Sequence, residues 1–91
     1  MYKVIFTDKA VKALKKLDKN VSRMLIAWVR KNLDGCDNPR RIGKSLTGNY
    51  SGKWRYRVGD YRIMAEIADE TITIYIVNIR HRREIYKAYL K

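Results

Sequence analysis

A run of alternating residues in the middle of the chain restricts its fold more than any other feature. In KWRYRVGDYRI, residues 53–63, basic side chains alternate with aromatic or aliphatic ones on both sides of Gly59-Asp60. Successive side chains of a strand point to opposite faces of a sheet, so this alternation predicts one apolar face and one cationic face. Gly59-Asp60 is typical of a two-residue hairpin turn. The segment therefore predicts a β-hairpin with strands 53–58 and 61–68.

A two-residue turn also determines which residues of the hairpin face each other. The predicted apolar pairs are Val58 with Tyr61, Tyr56 with Ile63 and Trp54 with Ala65, and the predicted cationic-face pairs are Arg57 with Arg62, Arg55 with Met64 and Lys53 with Glu66. Two arginines directly opposite destabilise a sheet by up to about 1 kcal/mol. One interpretation is a solvated cationic surface. We favour a second, in which a ligand phosphate supplies the missing negative charge, because the planar guanidinium group binds phosphate oxygens in pairs.

The rest of the chain supplies the other elements of a small single α+β domain spanning residues 1–91. The predicted order begins with a strand of about six residues that includes Tyr2, Val4 and Phe6. Two helices follow: the first is capped by Thr7 or Asp8 and directs Ala10, Val11, Leu14 and Leu17 inward, and the second directs Val21, Met24, Leu25, Trp28, Val29 and Leu33 inward. After a loop over 35–52 come the hairpin, a strand over 71–79 with Ile72, Ile74 and Ile76 in the core, and a short helix over 82–90. This order predicts a helical hairpin packed on a mainly antiparallel four-stranded sheet. Met64, Tyr75 and Val77, on the predicted cationic face, suit RNA base stacking or packing under the C-terminal segment, and we favour packing.

The charge balance restricts the partners. The chain has 21 basic and 9 acidic residues, a net charge of +12, which favours nucleic acid or an acidic protein. We expect a cytoplasmic protein, because no signal peptide and no apolar run long enough to span a bilayer is present. The single cysteine, Cys36, excludes an internal disulfide. No spacing of cysteine, histidine or acidic residues predicts a metal site or another cofactor.

A second basic block, NIRHRREIY, occupies residues 78–86, where the last predicted strand ends near the first block. Clustered arginines with a nearby lysine and tyrosine suit metal-free RNA cleavage, in which the ribose 2′-hydroxyl attacks the adjacent phosphate. Arginine stabilises the charge that develops on the phosphate, whereas lysine and tyrosine can transfer protons. A lone histidine such as His81 is by itself a weak signal for catalysis.

These segments resemble RelE-type toxins of the RelE/ParE toxin–antitoxin superfamily over essentially the whole chain. The resemblance rests on the order of elements, on KWRYRVGDYRIMAEI as the central hairpin, on IRHRREIY and on FTDKAVKALKKL near the start. It implies the toxin of a type II system, which is a ribosome-dependent, metal-independent endoribonuclease that cleaves mRNA in the ribosomal A site. It also implies an acidic RelB-like antitoxin as the cognate partner, and no membrane partner.

The resemblance further implies roles for individual residues. The catalytic set would be Lys53 as general base, Arg55 and Arg62 on the scissile phosphate, Arg80 as acid or charge stabiliser, His81 as its competitor for that role, and Tyr86 stacked on a base or orienting the 2′-hydroxyl. The RNA backbone would be bound by Lys44, Arg57, Arg82 and Arg83. Arg55 departs from the lysine that we associate with this position in the best-known member of the family, which puts its exact role in question.

Two other functions remain open on the same residues. ParE-type toxins share this fold and inhibit DNA gyrase without cutting RNA, and a non-enzymatic nucleic-acid-binding module would also be basic. We favour the ribonuclease, because a gyrase inhibitor has no chemical need to align Lys53, Arg55, Arg62 and Arg80 with Tyr86.

Overall fold

The secondary structure follows the predicted order in a computed structural model that describes residues 1–46, 48 and 52–81. The elements are β1 (Lys3–Phe6), α1 (Asp8–Lys15), α2 (Lys19–Asn32), β2 (Lys44–Ser45), β3 (Trp54–Val58), β4 (Tyr61–Ala68), a 3-10 turn (Asp69–Thr71) and β5 (Thr73–His81). The α+β class is confirmed. Neither of these helices is long and apolar enough to cross a membrane. The helix predicted over 82–90 lies outside the described residues.

Within the described residues the sheet has five strands in the order β1-β5-β4-β3-β2, where four were predicted. The additional strand is β2, which pairs Lys44 with Arg55 and Ser45 with Trp54 inside the segment predicted to be a loop. A two-residue strand is too short to show alternation, so the sequence carries no pattern for it. The sheet is mixed, because β1 runs parallel to β5 while the other neighbours are antiparallel.

The two helices cover one face of the sheet. Each begins at a polar cap: the Thr7 hydroxyl accepts a hydrogen bond from the Ala10 amide, and the Asp18 carboxylate accepts one from Asn20. Their inward residues join the sheet in one core, which consists of Ala10, Leu14, Leu25, Val29, Leu33, Tyr56, Val58, Ile63, Ala65, Ile74, Ile76 and Ile79. Val11 and Met24, predicted to face inward, are exposed at 36% and 43%, so the apolar stripe of each helix is narrower than predicted.

The connection between β4 and β5 is longer than the predicted two-residue turn at Asp69-Glu70. A 3-10 turn is followed by Ile72 with φ of 50°, a left-handed conformation that β-branched residues adopt rarely. Ile72 is therefore outside the strand and 45% exposed, and its predicted place in the core is wrong. Strand β5 begins at Thr73 and continues to His81, which is two residues beyond the predicted end.

The hairpin register is confirmed residue by residue. Strands β3 and β4 form the predicted pairs Trp54–Ala65, Arg55–Met64, Tyr56–Ile63, Arg57–Arg62 and Val58–Tyr61. One step further, the Lys53 ammonium lies 3.0 Å from a Glu66 carboxylate oxygen. The apolar members of these pairs face the helices, so the arginines lie on the opposite side of the sheet.

Candidate nucleic-acid interface

Six basic residues share the face of the sheet that the helices leave uncovered. We call this surface the cationic face, and it consists of Lys44, Lys53, Arg55, Arg57, Arg62 and Arg80. Its central feature is a row across three strands, because Arg57 pairs with Arg62 and Arg62 pairs with Arg80. Neighbouring strands lie about 4.8 Å apart, so the outer two backbones are roughly 10 Å from each other. Long arginine side chains can close that distance around one phosphate group.

The second row of the cationic face begins at the edge strand. Lys44 pairs with Arg55, which in turn pairs with Met64. Met64 is 6% exposed, which fits the packing interpretation better than base stacking. Glu66 is the one acidic residue within strands β2 to β5, and Lys53 binds it. Basic residues therefore outnumber acidic ones on the part of this face that these strands form.

Strand β5 directs its last two residues to opposite sides of the sheet. Arg80 lies opposite Arg62 on the cationic face, and His81 lies opposite Tyr61 on the helix side. The rings of His81 and Tyr61 meet edge to face, with centroids 5.2 Å apart. Arg80 and His81 were both predicted to follow the strand, but both belong to it, and they do not share a surface.

The segment that carries Lys44 is held against the sheet by side chains that the sequence analysis did not identify as functional. The Tyr56 hydroxyl donates to the Pro39 carbonyl oxygen at 2.6 Å, and the Trp54 indole donates to that of Ile42 at 2.8 Å. Burial raises the pKa of Tyr56 far above its ordinary value, so this hydroxyl remains a donor. Sequence alone gave no signal for these bonds, because they join residues 12 and 17 positions apart.

Gly43 permits the close approach of this segment to β3. Its φ is 83°, and a Cβ atom at this position would lie 2.3 Å from the Arg55 carbonyl oxygen and 2.6 Å from the Trp54 indole nitrogen. No residue other than glycine fits that space without displacing a neighbour. Gly43 therefore places Lys44 beside Arg55.

A bidentate ion pair anchors the same segment at its other end. The Arg40 guanidinium donates to both Asp69 carboxylate oxygens at 2.9 and 3.0 Å, and the Tyr2 hydroxyl donates to the same carboxylate at 2.7 Å. The hydrogen bonds from these two residues, those of Arg40 first and that of Tyr2 second, lower the pKa of Asp69. The contacts join the start of the chain, the loop and the β4–β5 turn.

Two concave surfaces adjoin these elements. A cleft of about 250 Å³ opens beside the cationic face and is lined by Trp28, Ile42, Gly43, Lys44, Arg55, Tyr56 and Arg57. A groove of about 490 Å³ lies on the helical side of the molecule, lined by Phe6, Val11, Leu14, Lys15, Leu17, Lys19, Ser22, Arg23, Ile26 and Arg30. The groove has an apolar floor and a basic rim.

The remaining site predictions meet the limits of the described residues. Arg82, Arg83 and Tyr86 lie outside them. Within residues 1–46, 48 and 52–81, no three histidine, cysteine, aspartate or glutamate side chains are grouped so that they could hold a metal ion.

Known proteins resemble this chain over nearly its whole length. A family model described as the ParE toxin of type II toxin–antitoxin systems matches residues 4–86. Toxin RelG of Mycobacterium tuberculosis is 33% identical, covering 94% of this chain and 97% of that protein, and toxin RelE of the same organism is 30% identical, covering 94% and 87%. Among solved structures, the toxin–antitoxin complex RelBE2 from M. tuberculosis matches with a TM-score of 0.80 and 31% identity, over 88% of this chain and 90% of that one.

Proposed function

Because this chain belongs to the RelE/ParE family of toxins from type II toxin–antitoxin systems, we propose that it is a ribosome-dependent endoribonuclease that cleaves mRNA in the ribosomal A site. The proposal includes a metal-independent reaction, a cytoplasmic location and residues 1–91 acting as one toxin domain. The observation that carries it is the row of Arg57, Arg62 and Arg80 across three adjacent strands.

The arginine row has a cost that RNA binding explains. Like charges placed directly opposite each other weaken a sheet, and here the repulsion is repeated across two strand pairs. A phosphodiester seated over the row supplies the opposing charge and accepts paired hydrogen bonds from the guanidinium groups. In RNA cleavage the phosphate gains negative charge in the transition state, and preformed cations stabilise that charge more than they stabilise the ground state.

The proposed reaction is an internal transfer at phosphorus. The 2′-oxygen forms a bond to the adjacent phosphorus, the bond to the 5′-oxygen of the next nucleotide breaks, and the products carry a 2′,3′-cyclic phosphate and a 5′-hydroxyl. A base removes the proton of the 2′-hydroxyl and an acid protonates the departing 5′-oxygen. No external reactant is required.

The positions of the side chains support particular roles. Arg55 and Arg62 would bind the scissile phosphate. Lys53 would act as base, which requires its side chain to leave Glu66, now 3.0 Å away, and to give up a proton so that the neutral amine can accept the one from the 2′-hydroxyl. Arg80 is better placed than His81 to stabilise charge, since it shares the cationic face with Arg62 while His81 contacts Tyr61 on the other side of the sheet.

Other roles rest on position or on the family resemblance alone. Lys44 and Arg57 would bind the RNA backbone beside the cleft that they line. Tyr86, Arg82 and Arg83 keep the roles implied by the resemblance.

Primer extension on a defined mRNA in a reconstituted translation system tests the activity. We expect cuts in register with codons only when ribosomes are present, and at least a ~10²-fold loss of cleavage in Arg62→Ala, because removing one charge-stabilising donor typically costs that much. Arg23→Ala is the matched control, since it removes the same charge from the helical side. Each variant is first checked for folding by circular dichroism.

The same experiment distinguishes the competing function. A folded protein that arrests growth but leaves mRNA intact on ribosomes would contradict the ribonuclease. A DNA gyrase supercoiling assay would then test the ParE-like alternative, which shares the fold and the name of the matching family model.

We also propose an acidic antitoxin as the partner, and the groove on the helical side as the place where part of it binds. The related M. tuberculosis toxin was solved as a toxin–antitoxin complex. In this chain the basic rim consists of Lys15, Lys19, Arg23 and Arg30 around an apolar floor. That combination complements an amphipathic helix with acidic flanks, which attracts the rim and buries its apolar side.

Coexpression with the small acidic protein that we expect from the neighbouring gene tests this partner. Val11→Asp places a charge in the groove and should abolish neutralisation of toxicity, whereas Met24→Asp is the control, because Met24 is equally apolar and 43% exposed but does not line the groove. Equal neutralisation of both variants would place the antitoxin elsewhere. A gene neighbourhood without any small acidic protein would count against the toxin–antitoxin pairing.

A further inference from the structure

The pairing of β4 with β5 contains one irregularity, which lies between the arginine row and the β4–β5 turn. Ala65 pairs with Ile76, but the next residue back along β4, Met64, pairs with Asn78. Strand β5 therefore carries one extra residue, Val77, which makes this a β-bulge. Above the bulge the pairs continue regularly to Arg62 with Arg80.

The extra residue determines which side of the sheet Arg80 faces. Residues paired across an antiparallel ladder share a face. If the register that pairs Ala65 with Ile76 continued without the bulge, Met64 would pair with Val77 and Tyr61 would pair with Arg80. Arg80 would then point to the helix side, away from Arg62. The bulge reverses the alternation and brings Arg80 to the cationic face.

Hydrogen bonds hold the bulge from both sides. The Asn78 side-chain oxygen accepts from the Ile79 amide at 2.9 Å, and Asn78 is only 8% exposed. The ladder between β1 and β5 ends at the pair of Phe6 with Ile76, so it does not reach the Ile79 amide. The side chain of Asn78 provides the hydrogen-bond acceptor for that amide instead. On the other side, the Thr7 hydroxyl donates to the Ile76 carbonyl oxygen at 2.8 Å.

We propose that Asn78 is a positioning residue for RNA cleavage: it holds the bulge that turns Arg80 toward the phosphate. This inference rests on the proposed function for its catalytic consequence, but not for the geometry. Asn78 acts through Arg80, so its contribution depends on the guanidinium being present. A buried asparagine held for stability alone would contribute equally whether or not residue 80 is arginine.

A double-mutant cycle measures that dependence. Cleavage on programmed ribosomes is compared for Asn78→Ala in the wild-type protein and in the Arg80→Ala variant. We expect a loss in the first that matches the loss caused by Arg80→Ala, on the order of 10²-fold for one charge-stabilising donor, and little further loss in the second. Thr73→Val is the matched control, because it removes a buried side-chain hydrogen bond of 2.9 Å at the other end of β5.

Nuclear magnetic resonance tests the geometry independently of activity. Cross-strand Overhauser contacts between Arg62 and Arg80 should be weakened or lost in Asn78→Ala, while those between Glu66 and Tyr75, below the bulge, persist. If alanine prevents folding, Asn78→Leu takes its place, because leucine has nearly the same shape but no hydrogen-bond acceptor.

Two results would overturn the inference. One is an equal loss of cleavage in both backgrounds, and the other is an unchanged pairing of Arg62 with Arg80 in the folded variant. If the wild-type protein does not cut RNA, the proposed function fails, and the resonance experiment still decides whether Asn78 sets the direction of Arg80.

Discussion

Replacing Gly43 by alanine tests whether the close approach of the loop to β3 organises the edge of the cationic face. The new Cβ would lie 2.3 Å from the Arg55 carbonyl oxygen, 2.6 Å from the Trp54 indole nitrogen and 2.9 Å from a Tyr56 ring carbon. The Arg55 carbonyl belongs to the backbone and the Tyr56 side chain is buried, so neither can move easily. We expect the loop to shift outward, which breaks the bond from Trp54 to Ile42 and moves Lys44 away from Arg55.

The size of the effect follows from a comparison with Gly35. Gly35 has φ of 81°, almost the same as the 83° of Gly43, but nothing lies within 4 Å of a Cβ there. Both alanine variants lose about 1–2 kcal/mol from the left-handed backbone. Gly43→Ala additionally loses about 1–3 kcal/mol to overpacking, including the broken hydrogen bond. The expected difference between the variants is therefore about 2 kcal/mol, or roughly 8–16 °C in Tm for a domain of this size.

Urea unfolding and thermal melts of the two variants, compared with wild type, measure this difference directly. Cleavage on programmed ribosomes should fall in Gly43→Ala and stay near the wild-type rate in Gly35→Ala, because only the first displaces Lys44. Equal stabilities of the two variants would refute the reasoning, since the contacts around Gly43 would then carry no cost.

Three further perturbations address the cationic face and its anchor. Arg57→Gln should raise the free energy of unfolding by a few tenths to about 1 kcal/mol at low salt, because it relieves repulsion with Arg62, and should lower cleavage; a loss of stability that does not depend on salt would contradict this. Lys44→Ala should reduce the slope of log affinity against log salt by about 0.7 in anisotropy titrations with a short single-stranded RNA, while an alanine at exposed Lys31 should leave the slope almost unchanged. The pKa of Asp69 is lowered in the folded state, so its stabilising contribution is present above the ordinary aspartate pKa and is lost as pH falls through the folded value. In urea titrations across acidic pH, the unfolding free energy of Asp69→Asn should lack this part of the pH dependence. Identical pH profiles of the variant and the wild type would argue against this contribution.

Local pattern was sufficient where neighbouring residues decide the structure. Alternation around Gly59-Asp60 predicted the hairpin, and counting from a two-residue turn predicted all five pairs of β3 and β4. The same count placed Arg57 opposite Arg62 and led to the phosphate hypothesis. The cap of the first helix, predicted to be Thr7 or Asp8, was equally local, because the Thr7 hydroxyl binds an amide three residues away.

The sequence pattern did not predict the structure where contacts between distant parts of the chain determine it. Strand β2 exists because Gly43 and the hydrogen bonds from Trp54 and Tyr56 draw the loop onto the sheet. Ile72 lies outside the core because it adopts the left-handed conformation that ends the β4–β5 turn. The isoleucines of β5 do carry a sign of the bulge: positions 74 and 76 are even-numbered whereas 79 is odd, and such a change of parity within a strand marks a bulge.

The sequence by itself determined the elements, the hairpin register and the excess of positive charge, because these follow from side-chain period, turn length and composition. Only the tertiary structure decided which cations lie on one surface. Lys44 comes from a loop, Arg57 and Arg62 from two sides of a turn, and Arg80 from a strand whose direction of alternation is reversed by one extra residue. A one-residue change in register exchanges the two faces of a strand, so how β5 pairs with β4 decided that Arg80, and not His81, lies on the cationic face.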